Sequence, residues 1–287
     1  MATGATEFID HTTADAFIPE IWSREAIIAR ENALVYAKLV NRGFEDEARF
    51  GDTVHVPSVT NLSARTKTLS SNAAITFETQ TETNTDITIN TWEYAAIAIE
   101  TALVKQSMQD LVARYTPKMG YALGLAVDDV LAGIPDGFTN AVGTLGVELT
   151  YENVVRGRQY LDDANAPMDD RHIVVSPAQE AGFMKLDHFV HNDYSKLQGT
   201  KANAKDMAYF GSWLSTPVHK SANVEGTNAS GHDNAFFHRE AMALVMQMKA
   251  KSHHQFDIDY LVDKYVTEHL YGTQTMRNDH GVFMRGA

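Results

Sequence analysis

Between Thr60 and Thr91 the chain holds ten threonines and few large apolar side chains. This stretch constrains the fold more than any other. It is too long for an ordinary loop inside a compact domain and too poor in apolar surface to build a core of its own. Threonine is nevertheless a good strand residue. Ile75 and Phe77 alternate in "AITFET", and Ile87, Ile89, Ile97 and Ile99 alternate in "TDITINTWEYAAIAI". The spacing predicts a long two-stranded excursion with an irregular tip over 63–74. An isolated hairpin is marginal in water, so this one must rest on another surface.

The segment before it, "DAFIPEIWSREAIIARENALVYAKLVN", is as apolar as the excursion is polar. Its periodicity predicts a helix over 19–40. At about 100° per residue, Ile21, Ile28, Val35 and Leu39 share one side, with Trp22, Tyr36 and Val40 beside them. Ile27 and Leu34 fall almost opposite. A helix on a single core shows one apolar face. Two facets leave two readings open: a helix buried in its own domain, or a helix lying between two neighbours.

Further along, "GDTVHVPSV" reads as a strand, with Pro57 marking an edge or an exit. "ETALVKQSMQDLVARY" reads as a short helix. Thr116 and Pro117 then look like the N-cap and first residue of a longer helix. That helix carries Met119, Leu123, Val127 and Val130, with Tyr115, Ala122, Ala126 and Leu131 alongside, and stops near Gly133-Ile134-Pro135. Gly120 and Gly124 inside it each cost roughly 1 kcal/mol against alanine, so the helix bends there or another backbone comes close. "IPDGFTNAVGTLGVELT" reads as a loop. Thr150 caps a helix, "YENVVRGRQYLDDANAP"; "RHIVVSP" is a buried strand and "AQEAGFMKL" a further helix. Residues 192–215 read as irregular and "SANVEGTNASGHDN" as a polar loop. "REAMALVMQM" reads as a central strand and "GVFMRGA" as a final one. "FDIDYLVDKYVTEHLYGTQTMR" has strand character over more than the roughly ten residues a strand usually spans. The class is α+β.

The net charge of −13 argues against a dedicated nucleic-acid binder, which would show a basic stripe. With no cysteine, disulfides, thiolate metal sites and a cysteine nucleophile are excluded. The first residues show neither the basic nor the apolar region of a signal peptide, and no apolar run approaches the roughly 18 residues of a membrane span. The expectation is a soluble chain with no membrane contact.

The order of these pieces resembles the major capsid proteins of tailed bacteriophages, which share the Hong Kong ninety-seven-type (Johnson) fold. The resemblance rests on "FIPEIWS" with the helix to "LVN", then "GDTVHVPSV", the threonine-rich excursion, "WEYAAIAIETALVKQSMQDL", "AVDDVLAG", "RHIVVSPAQEAGFMK" and "LYGTQTMRNDHGVFM". No single motif is diagnostic; the ordered set is much more specific than any member of it. The resemblance implies an N-terminal arm over 1–45 and an extended loop over 46–94. A peripheral domain with its spine helix would span 95–148, an axial domain 149–248, and C-terminal strands of the peripheral domain 249–287. It implies a structural coat protein, not an enzyme, with no cofactor. This protein would self-assemble as hexamers and pentamers into an icosahedral shell in the host cytoplasm and become part of the virion. The implied partners are copies of itself, a portal protein, a decoration protein and packaged double-stranded DNA held by weak, non-specific contact. Only about fifteen residues precede the arm's apolar segment, so a separate scaffolding protein is expected. Assembly contacts are expected from Phe17, Ile18, Ile21, Trp22, Ile27 and Leu34 by apolar burial, and from Arg65 and Lys67 near the loop tip by ion pairing. Certain family members join subunits by a Lys–Asn isopeptide bond. Lys67 and Asn278 are the candidates here, though nothing in the sequence marks either.

Two alternatives remain: a nanocompartment shell of the same fold, enclosing enzyme cargo, and a soluble metal-dependent enzyme. The second would use Asp187, His188, His191 and Asp193, or His253, His254, Asp257 and Asp259, and needs three or four of them to converge. The Asp128-Asp129 and Asp162-Asp163 pairs cannot both point one way on a helix and are expected as solvated ends. P-loop, dinucleotide and nucleophile-elbow patterns are missing from the sequence.

Overall fold

Phe236 and Phe237 are adjacent in one strand and both buried, yet they belong to different hydrophobic cores. That alternation organises the molecule. The computed structural model describes residues 31–186 and 209–287, apart from 33, 61, 70, 71, 73, 81, 107–110, 214 and 215. From Asn32 onward they form one compact unit. In chain order the elements are α1 (Tyr36–Leu39), β1 (Thr53–Val59), β2 (Glu82–Thr88), β3 (Thr91–Glu100), α2 (Thr101–Gln106), α3 (Leu111–Gly133), β4 (Asn140–Gly143), α4 (Tyr151–Asp163), β5 (Arg171–Val175) and α5 (Pro177–Phe183). They continue with β6 (Tyr209–Trp213), β7 (Thr216–Lys220), β8 (Gly226–Thr227), β9 (Gly231–His238), β10 (Met242–Asp257), β11 (Val262–Thr275) and β12 (Gly281–Gly286).

The largest sheet among the described residues has the order β4-β12-β9-β5-β7-β6, with β8 paired to β9. Only β12–β4 and β5–β7 are parallel. Because side chains alternate across a strand, Ile173, Val175, Phe236, Val282 and Met284 face one core with Leu161 of α4 and Phe183 of α5. Val174, Phe237 and Phe283 face the other, with Val127 and Leu131 of α3 and Tyr36 of α1. A sheet covered on both faces reads as unbroken apolar runs, which is why "IVV" and "AFF" carry no polar alternation. Local chemistry sets the flanking helices. Thr150 accepts the Asn153 N–H at 3.4 Å to cap α4, and Ser176 accepts the Gln179 N–H at 3.1 Å, with Pro177 opening α5.

A second sheet, β10-β11-β3, is antiparallel throughout. The over-long C-terminal strand expected from sequence is two strands and a turn. β10 ends at Asp257, whose carboxylate accepts the Asp259 N–H at 3.0 Å, and Leu261 adopts φ 51°. An Asp-led turn of this kind is a local signal that the alternating pattern masked.

Five further expectations need correction. The long helix does not start at Thr116. It runs from Leu111 through Pro117 without interruption, and the Thr116 hydroxyl donates back to the Val112 carbonyl at 2.8 Å. Burial of Met119, Leu123, Val127 and Leu131 offsets the proline, while Val130 is exposed. At Gly124 the close neighbour is the Leu34 side chain, 2.7 Å from where a Cβ would lie, and not a backbone; Gly120 meets nothing within 4 Å. "AITFET" forms no strand. The expected loop after Pro135 contains β4, and the expected polar loop before Ala235 contains β8 and the start of β9. In each, pairing with a partner strand supplies regularity that composition did not.

Candidate assembly surfaces

β1 and β2 pair from Thr53↔Thr88 at the root to Val59↔Glu82 at the far end. The root is held firmly. Val54, Ile87, Ile89 and Ala48 pack on Ala243 and Val245 of β10. Gln247 donates to the Ala48 and Gly51 carbonyls, both at 2.8 Å, and the Ile89 N–H bonds to the Asp52 carbonyl at 2.7 Å. Where the hairpin crosses β11, a Cβ on Gly272 would sit 2.3 Å from the Thr88 carbonyl oxygen, so only glycine admits the crossing.

Burial then fades along the hairpin. Val54 is buried, Val56 half-buried and Val59 exposed. Beyond the paired strands, Leu62, Leu69, Ile75 and Phe77 are all exposed, Leu69 by 94% and Phe77 by 83%. The order seen in this loop is polar. The Glu78 carboxylate accepts the Ser63 N–H at 3.0 Å and the Arg65 Nε and Nη2 at 3.1 and 3.0 Å. The Ser63 N–H and then the Arg65 guanidinium hold Glu78 below the usual carboxylate range. Arg65, expected to pair with a neighbouring subunit, is thus engaged by its own loop. Lys67 is exposed beside Thr68 and Ile75.

A second apolar surface lies on the outer side of β10-β11-β3. Trp92 and Tyr94 are exposed there, opposite Leu270 and Glu268 of β11. The Trp92 indole N–H donates to Glu268 at 2.9 Å, and His253 lies 3.0 Å from the other Glu268 oxygen. The turn between β10 and β11 adds Ile258, Tyr260 and Leu261, all exposed.

Phe17, Ile18, Ile21, Trp22 and Ile27 lie outside the described residues, as do Asp187, His188, His191 and Asp193. Leu34 is half-buried against Gly124 of its own chain. The helix expected over 19–40 does not extend through 31–35; its described remnant is α1. Val35, Tyr36, Leu39 and Val40 are core residues of this same chain. Asp128 is the reason. Its Oδ1 accepts the N–H groups of Val35, Tyr36 and Ala37 at 3.0, 2.8 and 3.4 Å, and Asn223 donates to Oδ2 at 2.9 Å. These orphan donors at the start of α1 are satisfied from another helix. The expectation that Asp128 is a solvated end is therefore wrong: it is fully buried, and desolvation raises its pKa more than these hydrogen bonds lower it. Its neighbour Asp129 is exposed. The signal was in the sequence, since position 128 falls between Gly124 and Leu131 on the inward face of α3. Asp162 is likewise no idle end, for it lies 2.7 Å from Nη1 of the buried Arg171.

The second histidine set does not converge. His254 lies 2.9 Å from Asp263, His253 turns to Glu268 across the sheet, and Asp257 pairs with Lys264. Asn278, the isopeptide candidate, accepts the Thr139 N–H at 3.0 Å.

No family model matches the chain, and a comparison with curated proteins finds no relative. Solved structures do match over nearly its whole length. A structure from Mycobacterium phage Che8 is 22% identical, covers 94% of this chain and 97% of its own, and superposes with a TM-score of 0.77. The capsid structure of cyanophage P-SCSP1u is 18% identical, with 96% and 94% covered and a TM-score of 0.70. The mature capsid of bacteriophage PhiM1 is 15% identical, with 93% and 91% covered and a TM-score of 0.68. With the long helix, the rooted hairpin and the doubly covered sheet, these likenesses show that the chain has a phage-capsid fold.

Proposed function

We propose that this chain is the shell subunit of a tailed phage, with a structural and not a catalytic role. One observation carries the reading: a hairpin rooted by a dedicated core ends in a loop whose Leu62, Leu69, Ile75 and Phe77 are exposed and find no cover among the described residues. A root this firm is wasted on a loop with nothing to hold. Copies of the same protein supply the missing surface, and each large apolar side chain fully covered contributes about 1.5–3 kcal/mol. Contacts of that size, repeated around a shell, close it while still allowing errors to dissociate. In this reading 46–94 is the loop that reaches over a neighbour, and 1–45 the arm up to its anchor on Asp128. The net charge of −13 suits an enclosure that does not grip packaged DNA. A scaffolding protein, a portal and a decoration protein complete the set of partners.

The test is to express the full chain with its neighbouring gene products and examine the product by electron microscopy. Closed shells built from this chain are expected. A monodisperse monomer at every concentration, with and without those products, would overturn the proposal.

A further inference from the structure

We propose that the β3 edge of the β10-β11-β3 sheet receives the segment "AITFET", residues 74–79, of a second copy of this chain as an added strand. The proposal rests on the reading that copies of the chain assemble, and it names the surface on which they meet.

The two edges of this sheet differ. One is β10. Its inner end is already occupied, for the Asn41 N–H bonds to the Met242 carbonyl at 3.0 Å and the Asn41 carbonyl accepts the Leu244 N–H at 2.9 Å. Its outer part is broken by two register shifts, between Met246 and Met248 and between Met248 and Lys251, and carries the exposed Lys249 and Lys251. Bulges and lysines are how proteins keep an edge from pairing. The other edge is β3. It pairs with β11 from Thr91 to Glu100 without a shift and contains neither lysine nor proline. Every second N–H and C=O of such a strand points away from the sheet, and no backbone bond reaches that side among the described residues. A long, regular, undefended edge is a template for another strand.

The segment 74–79 has what the edge lacks. Ile75 and Phe77 alternate as in a strand, yet the segment has no strand partner among the described residues. Ile75, Phe77, Trp92 and Tyr94 are all exposed, so segment and edge do not cover each other within one chain. Laid along β3, the segment sets Ile75 and Phe77 beside Trp92 and Tyr94, and cross-strand pairs of this kind are favourable. Its other face, Ala74 and Thr76, meets the shallow recess between β3 and α3, lined by Ala95, Ala122 and Ala126. Charge agrees. β3 carries Glu93 and Glu100 and no cation, whereas Lys249 and Lys251 on the opposite edge would repel the exposed Lys67 of the arriving loop.

The chain has no cysteine, which makes disulfide trapping clean. In the full-length chain, Phe77→Cys is combined in turn with Trp92→Cys, Tyr94→Cys and Ala96→Cys, all at exposed positions. Facing residues of neighbouring strands hold their Cα atoms about 4.5–5.5 Å apart, within disulfide reach. Each copy both gives and receives a strand, so at least one of the three pairs, oxidised at high protein concentration, is expected to give a ladder beyond dimers on a denaturing, non-reducing gel. Phe77→Cys alone should stop at dimers, and Phe77→Cys with Lys251→Cys should give no ladder. No ladder from any of the three pairs, a disulfide closed within one chain, or an equal ladder with Lys251→Cys would overturn the pairing. Electron microscopy of the same samples reads shell formation separately. Shells without the ladder overturn this inference alone, and a monomer with neither overturns the reading beneath it as well.

Discussion

The Asp128 carboxylate of α3 accepts the backbone N–H of Tyr36 at 2.8 Å. One side chain therefore ends the approach of the N-terminal segment and starts its packing into the body. Asp128→Ala strands three backbone donors and should cost about 2–4 kcal/mol in chemical denaturation of the unassembled subunit. Asp128→Asn keeps the accepting oxygen, removes a buried charge and should cost clearly less. Equal losses for the two would show that the cap is not what holds α1.

Phe77 separates folding from assembly. It is 83% exposed, so Phe77→Ser should alter subunit stability by no more than about 0.5 kcal/mol. If a neighbour covers it in the shell, the same change raises the concentration needed for assembly by about tenfold or more. Light scattering at graded concentrations measures this. Unaltered assembly would remove Phe77 from the contact surface.

Gly272 is where β11 lets the hairpin cross, with the Thr88 carbonyl oxygen 2.3 Å from a hypothetical Cβ. Gly272→Ala should displace the hairpin root and destabilise the subunit by about 1–3 kcal/mol. A crystal structure of the variant with Thr88 unmoved and stability unchanged would contradict this.

His172 on β5 faces His219, their ring centroids 5.5 Å apart, and its Nδ1 is buried without a partner. Burial, then His219, push its pKa from 6.5 down to about 4, against a smaller upward pull from Asp170. The unfolded chain binds this proton more readily, so the stabilisation is fully present above about pH 6.5 and is lost as pH falls toward 4. The slope from this one group is at most about 1.4 kcal/mol per pH unit. His172→Leu should flatten that part of the acid limb in denaturation series between pH 4 and 7. An unchanged limb would place the sensitivity elsewhere.

The sequence was most legible where one local rule decides. Thr150 caps its helix because its hydroxyl reaches an N–H three residues on. The inward stripe of α3 follows helical spacing at Met119, Leu123 and Val127. Long-range partners erased other signals. Asp128 looked like a surface acid until α1 supplied its donors. Arg65 looked available to a neighbour until Glu78, thirteen residues on, took it. The order of the longer helices and strands was legible, because it depends on the succession of periodicities, while β4, β8 and the turn between β10 and β11 were not.

The central claim is that 62–80 is covered by other copies and not by its own chain. Hydrogen–deuterium exchange of those amides, in the free subunit and in assembled particles, tests it most directly. Fast exchange in the subunit and strong protection in the particle are expected. Equal exchange in both, or protection already complete in the subunit, would contradict the account.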